Sequence, residues 1–148
     1  MLLSRQVRTT GNRLQVLCCL LQSSSALSHL ELHGLLPELD RVTLYRTLDC
    51  LLEAGIVHKI AGNDRVFRYS VGLQIKPADF NQHAAPAHHH AHFHCSQCGR
   101  IFCLNKTIWQ SPNALDWQQQ AQDELGRDFD IQEMDLSLSG VCKYCQPS

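Results

Sequence analysis

Three helical stretches, a hairpin, and then two Cys-x-x-Cys pairs set far apart in a His-rich second half predict an α+β chain. The first half reads as an N-terminal winged helix-turn-helix. The second reads as a small α/β domain organised by a four-cysteine zinc site. The expected boundaries are 1–72 for the winged helix, 73–87 for a linker and 88–148 for the zinc-stabilised domain.

Residues 5–22 carry a helical apolar stripe, with Leu14, Leu17, Leu20 and Leu21 expected inward. Ser23-Ser24-Ser25 breaks it. The run Leu27 to Glu31 opens a second helix, in which Ser28 and Glu31 form a capping box. Leu30, Leu35 and Leu36 are its expected apolar side, and Pro37 ends it. Asp40 caps a third helix, Arg41 to Ala54, closed by Gly55. Its core side is Leu44, Leu48, Leu51 and Leu52. Its polar side offers Thr43, Tyr45, Arg46 and Thr47. Residues 56–60 and 66–71 then read as strands around Gly62-Asn63-Asp64. Beyond the linker come a strand from His88 to His94, a knuckle over Cys95–Gly99, and a returning strand from Arg100 to Leu104. A helix from Ser111-Pro112 to Gly126 follows, then an alternating strand from Phe129 to Leu138, before Gly140 leads into Cys142-Lys143-Tyr144-Cys145.

Charge is divided unevenly. Residues 1–72 hold eight Lys/Arg against six Asp/Glu, and residues 73–148 hold five against eight, for a net charge of -1. That total argues against coating nucleic acid by bulk attraction, while the basic start and acidic end suggest different partners for the two halves. Arg5, Arg8 and Arg13 before the run Leu14 to Leu21 imitate a secretion signal. Gln15 interrupts the run, however, and no small-residue cleavage site follows it. No stretch is long enough to span a bilayer, so the expected location is cytoplasmic and no membrane partner is expected.

The strongest chemical signal is Cys95-x-x-Cys98 with Cys142-x-x-Cys145. Two intervening residues let both thiolates of a pair face one ion, and four thiolates suit tetrahedral zinc. Two disulfides or four reduced core thiols are the alternatives. Such a site is coordinatively closed, which argues against catalysis by its ion. The tract His88-His89-His90-Ala91-His92-Phe93-His94 is the second signal. On a strand His88, His90, His92 and His94 share one face, and converging imidazoles favour zinc, iron or nickel. A purification tag or a solvated loop would give the same composition. The third signal is the helix with Thr43, Tyr45, Arg46 and Thr47 exposed. Arg can read guanine, while Thr and Tyr can hold phosphates or touch thymine methyls. Lys59, Arg65 and Arg68 on the hairpin, with Arg8 and Arg13 upstream, would add phosphate contacts to double-stranded DNA. Cys18, Cys19 and Cys103 read most simply as core residues, and Cys50 fits either reading. No phosphate-binding loop, Ser/His/Asp pattern or acid/base pair suggests an enzyme.

Val42-Thr43-Leu44-Tyr45-Arg46-Thr47-Leu48 with Gly55-Ile56-Val57 resembles the recognition helix of the ferric uptake regulator (Fur) family. Arg8-Thr9-Thr10-Gly11-Asn12-Arg13 echoes its opening element. The His tract running into Cys95-Ser96-Gln97-Cys98-Gly99, and Gly140-Val141-Cys142-Lys143-Tyr144-Cys145, look like its two metal signatures. The resemblance covers nearly the whole chain. It implies a homodimeric repressor whose second half is the dimerisation domain. It also implies a palindromic operator and a regulatory metal that sets the spacing of two DNA-reading helices.

The same resemblance implies a regulatory site between the halves, with His90 and His92 as ligands and His83, His88, Asp79 and Cys103 as candidates to complete it. Several usual ligand types are replaced. Ser70 stands where an acid follows the wing aromatic, and Ala26 where a His precedes the second helix. Ala91, Gln110 and Met134 stand at the positions of an accessory site. Few carboxylates and many imidazoles suit zinc better than ferrous iron, so the chain looks most like a zinc-uptake (Zur-type) regulator. An iron-responsive or metal-blind repressor, and a zinc-stabilised protein-interaction module without a DNA target, are the alternatives.

Overall fold

The computed structural model describes residues 2, 7–72, 91–104, 112–126, 128 and 136–146, with backbone alone for 112–118. Among these, the order is α1 (Gly11–Gln22), β1 (Leu27–Ser28), α2 (His29–Leu35), α3 (Arg41–Glu53), β2 (Val57–Ala61), β3 (Phe67–Val71), β4 (Ala91–Cys95), β5 (Ile101–Leu104), α4 (Pro112–Leu125) and β6 (Ser137–Gly140). The expected linker at 73–87 lies outside the described residues, as do His83, His88, His90 and the stretch 129–135.

Local chemistry fixes the helix starts. The Thr10 side chain accepts from the Arg13 N–H, so α1 begins at Gly11. Residues 7–9, expected inside this helix, precede its cap at Thr10. At 100° per residue, Val16, Leu17 and Leu20 share the buried face, whereas Leu14 and Leu21, expected inward, lie about 100° away and are exposed. At α2 the capping box forms as expected. The Glu31 N–H donates to Ser28 Oγ at 3.2 Å and the Ser28 N–H to Glu31 Oε2 at 2.7 Å. Leu27 and Ser28, however, form a short strand against β3 rather than helix. The buried apolar residues here are Leu32, Leu36 and Leu39. Leu30 and Leu35, expected inward, point to solvent because only one side of this short helix meets the core. Asp40 caps α3 as expected, accepting from the Thr43 N–H at 2.9 Å.

The first core joins Val16, Leu17, Leu20, Leu32, Leu44, Leu48, Leu51, Ile56 and Val57 with Tyr69, closing α1, α2 and α3 over the hairpin. Its sheet has the order β1-β3-β2, antiparallel throughout, with Val57 opposite Val71 and Ala61 opposite Phe67. This is the expected helix-helix-helix-hairpin arrangement with one added edge strand. The second sheet has the order β5-β4-β6. β5 runs antiparallel and β6 parallel to β4, so the strand before the first Cys pair lies beside the strand before the second.

The two sheets touch. The Ala26 N–H donates to the Ile101 carbonyl at 2.7 Å. Ala26, Ile60 and Ile101 form a second small apolar cluster, with Cys103 packed against it. No helix among the described residues is long and apolar enough to cross a membrane.

Leu48 is fully buried at the centre of the first core. Leu48→Ala should destabilise the chain by about 2–5 kcal/mol through lost burial and a residual cavity. Denaturant unfolding should show this while bound zinc per chain stays unchanged.

Candidate metal centres and nucleic-acid face

Four thiols meet where the two Cys pairs come together. The ligand atoms of Cys95, Cys98, Cys142 and Cys145 all lie within 4.8 Å of one another. Cys98 Sγ and Cys142 Sγ are 3.8 Å apart. A tetrahedral ion with zinc–sulfur bonds near 2.3 Å would place its sulfurs about 3.8 Å apart, so the donor set fits zinc. The knuckle is built for this approach. Gly99 adopts a left-handed φ of 69, and its N–H closes on the Cys95 carbonyl at 3.0 Å. The parallel pairing of β4 with β6, with Cys95 opposite Gly140, brings the distant second pair into place.

Backbone dipoles prepare the first thiol. The Cys142 N–H donates to Cys95 Sγ at 3.3 Å. That bond, with N–H groups of Cys98 and Gln97, lowers the Cys95 pKa to about 6. Cys145 is pushed up to about 12 by its hydrogen bond with Cys98 and by burial, with Cys142 and Cys95 crowding it further. The four sulfurs cannot all ionise together without a cation among them.

A second cluster lies where the two sheets meet. His58 Nε2 is 3.3 Å from His92 Nε2 and 3.4 Å from Cys103 Sγ. The three ligand atoms fall within 4.8 Å of one another. Tetrahedral edges for zinc bound by imidazole and thiolate are about 3.3–3.6 Å, so this set fits as well. His58 and His92 are only 2% and 4% exposed. Burial raises the Cys103 pKa, opposed by a hydrogen bond with Ser70. Gly72 allows the His58 ring its place, since a Cβ there would lie 2.9 Å from Nδ1.

Of the expected regulatory ligands, His92 is in this cluster, while His83, His88 and His90 lie outside the described residues. Cys103, read from composition as core but also as a candidate ligand, is in it. Ser70 faces the cluster through its bond to Cys103 and supplies no carboxylate. His58 was missed. Its signal was available, because in Val57-His58-Lys59-Ile60 the period of a strand puts His58 on the same face as Ile60, and that face is buried.

The expected DNA-binding residues are distributed over the segment before α1, α1 itself, α3 and the hairpin. Tyr45 and Arg46 are exposed on α3. Thr47, expected beside them, is buried, and Thr43 donates its hydroxyl to Asp40 at 2.6 Å as part of the helix cap. Arg13 donates to the Arg8 carbonyl at 2.6 Å, which brings those two residues together at the start of α1. The Lys59 ammonium lies 3.7 Å from the centre of the Phe67 ring. Arg65 is exposed at the hairpin turn with φ 63. Arg68 makes a two-pronged bond to Asp64, at 2.9 and 2.7 Å, and holds that carboxyl well below the usual range.

Residues 4–139 match the ferric uptake regulator family. The chain belongs to that family. Among curated members it is 30% identical to the ferric uptake regulation protein of Bacillus subtilis (strain 168) over 74% of this chain, spanning 62% of that relative's length. It is 29% identical to the peroxide-responsive repressor PerR of Staphylococcus aureus (strain USA300) over 95% of this chain and 83% of that one. Among solved family structures, a zinc uptake regulator complexed with zinc and DNA superposes with a TM-score of 0.62 at 25% identity, covering 97% of this chain and 87% of that one. The ferric uptake regulator of Vibrio cholerae superposes with a TM-score of 0.59 at 22% identity, covering 95% and 96%.

Cys142→Ser should abolish tight zinc binding at the four-thiol centre and cause aggregation of the chain, because apparent structural-zinc energies reach about 10–16 kcal/mol. Zinc content by mass spectrometry and sizing of the variant check this. Ligand thiols must lose protons to bind, so zinc retention against a chelator should fall as pH is lowered from 7.5 to 5.5.

Proposed function

We propose that this chain is a zinc-responsive DNA-binding repressor, a Zur-type member of its family, acting as a homodimer on a palindromic operator. The single observation that carries the reading is the buried meeting of His58 from the hairpin with His92 and Cys103 from the second sheet. Two imidazoles and a thiol, with no carboxylate in the described cluster, suit zinc better than ferrous iron or manganese. A bound ion would supply attraction across the boundary between the halves.

The division 1–72, 73–87 and 88–148 belongs to this proposal, with the four-cysteine ion structural and the His58–His92–Cys103 ion regulatory. The chain's own residues then do three things. His58 and His92 give up imidazole nitrogens to a shared centre, and Cys103 gives up its proton. Ala26, Ile60 and Ile101 keep water from one side of the cluster. β2 follows α3 after the turn at Gly55, so the position of His58 is passed directly to Tyr45 and Arg46. Arg8, Arg13, Lys59 and Arg65 supply positive charge toward phosphate. Leu138, Val141 and Tyr144 leave an exposed apolar surface around the second Cys pair, which suits a second copy of the chain.

Metal that favours the DNA-competent arrangement must bind more tightly when DNA is present, since the coupling is reciprocal. Operator binding measured against buffered free zinc tests the reading. The wild type should show zinc-dependent binding. His58→Ala, and separately His90→Ala/His92→Ala, should keep the four-cysteine ion but lose that dependence. Coincident curves for wild type and His58→Ala would contradict it. Arg46→Ala should weaken operator binding by roughly 1–3 kcal/mol at saturating zinc, if the guanidinium reads a base.

A further inference from the structure

α2 and α3 meet at a stacked pair of rings. His29, the first residue of α2, lies face to face with Tyr45 of α3, with ring centres 3.6 Å apart and 16° between the planes. The backbone at His29 is held from both sides. Leu27 and Ser28 pair with β3, and the Ser28–Glu31 capping box fixes the first turn of α2. Burial and the neighbouring His33 lower the His29 pKa, opposed by a hydrogen bond with the Arg41 backbone, so the ring is neutral near pH 7. Its Nε2 is buried without a hydrogen-bond partner.

The orphaned Nε2 costs stability, while the other ring nitrogen is engaged by the Arg41 backbone, which fixes the orientation of the plate. Tyr45 is different. The residue is 50% exposed on α3, and such a side chain ordinarily samples several rotamers. Contact with a rigid plate removes much of that freedom before any ligand arrives.

We propose that His29 is a positioning residue for Tyr45: its ring fixes the phenol at one angle on α3 and so sharpens discrimination between DNA sequences. This rests on the reading of α3 as the DNA-reading helix. The role is specific to the selected sequence, because a pre-oriented ring helps only where a base edge or thymine methyl meets it. Phosphate contacts from Arg8, Arg13 or Lys59 are indifferent to it.

The test uses the zinc-loaded full-length protein, a duplex that the wild type selects from a random library, and a shuffled duplex of the same composition. His29→Ala should weaken binding to the selected duplex about three- to tenfold, the range expected for one aromatic contact, and leave the shuffled duplex within about twofold. His29→Phe keeps the plate and should retain wild-type discrimination. In a Tyr45→Ala background, His29→Ala should add nothing. Should His29→Ala fail to fold, as judged by circular dichroism, His29→Gln removes the ring and takes its place.

Equal weakening on both duplexes, or an undiminished effect in the Tyr45→Ala background, makes His29 a support for α2 only and overturns the proposal. If Tyr45→Ala weakens binding and His29→Ala does not, the positioning role alone fails. If Tyr45→Ala itself changes nothing, the reading of α3 fails and the role of His29 falls with it.

Discussion

His58 and His92 face one another across the boundary between the two sheets, their Nε2 atoms 3.3 Å apart, with Cys103 Sγ 3.4 Å from the first. Burying two imidazoles and a thiol is costly unless their polar atoms are engaged with one another or with an ion. The surroundings make the engagement tight. Ala26, Ile60 and Ile101 pack beside the cluster, and the Ala26–Ile101 hydrogen bond closes the gap between the sheets. On the far side, Arg68 lies near the knuckle, its Nη2 3.5 Å from where a Cβ on Gly99 would sit. The hairpin is therefore held along its length, by the cluster at one end and beside the four-thiol centre at the other.

That placement makes the cluster a lever on the DNA-reading side of the proposal. α3 ends at Glu53, and four residues later β2 begins. The buried side chains Leu44, Leu48 and Leu51 key α3 into a close-packed core that also contains Ile56, Val57 and Tyr69. Movement of β2 cannot be absorbed within so short a connection, so it is shared by α3. The four-thiol centre has a different task. It ties the strand carrying His92 to the second Cys pair, and so would hold His92 in place in the proposed junction site.

Much of this was legible in the sequence because it is local. Ser28 with Glu31 and Asp40 before Arg41 carry their helix starts in their own spacing. Cys95-x-x-Cys98 and Cys142-x-x-Cys145 carry their chemistry the same way. What was misread depends on the neighbour across the fold. Leu30 and Leu35 look as apolar as Leu32, yet only Leu32 meets the core, because a helix of seven residues offers one narrow face. Thr47 looks like Thr43, yet one is buried and the other caps α3. Cys103 satisfied a core reading and a ligand reading together, since a half-buried thiol can be either. His58 was hidden because its partner lies 34 residues away, on a strand of the other sheet. The loss of usual ligand types at Ala26 and Ser70 marked a gap in the site. The residue proposed to fill it, His58, sits at a strand position with no motif around it.

Zinc bound per chain, measured before and after mild chelation, decides whether the junction holds an ion of its own. The wild type should hold two ions, one of them removed by the chelator. His58→Ala should hold a single chelation-resistant ion, because the four-thiol centre is untouched while the junction loses a ligand. A His58→Ala protein that still holds a second, removable ion with wild-type affinity would contradict the proposed junction site.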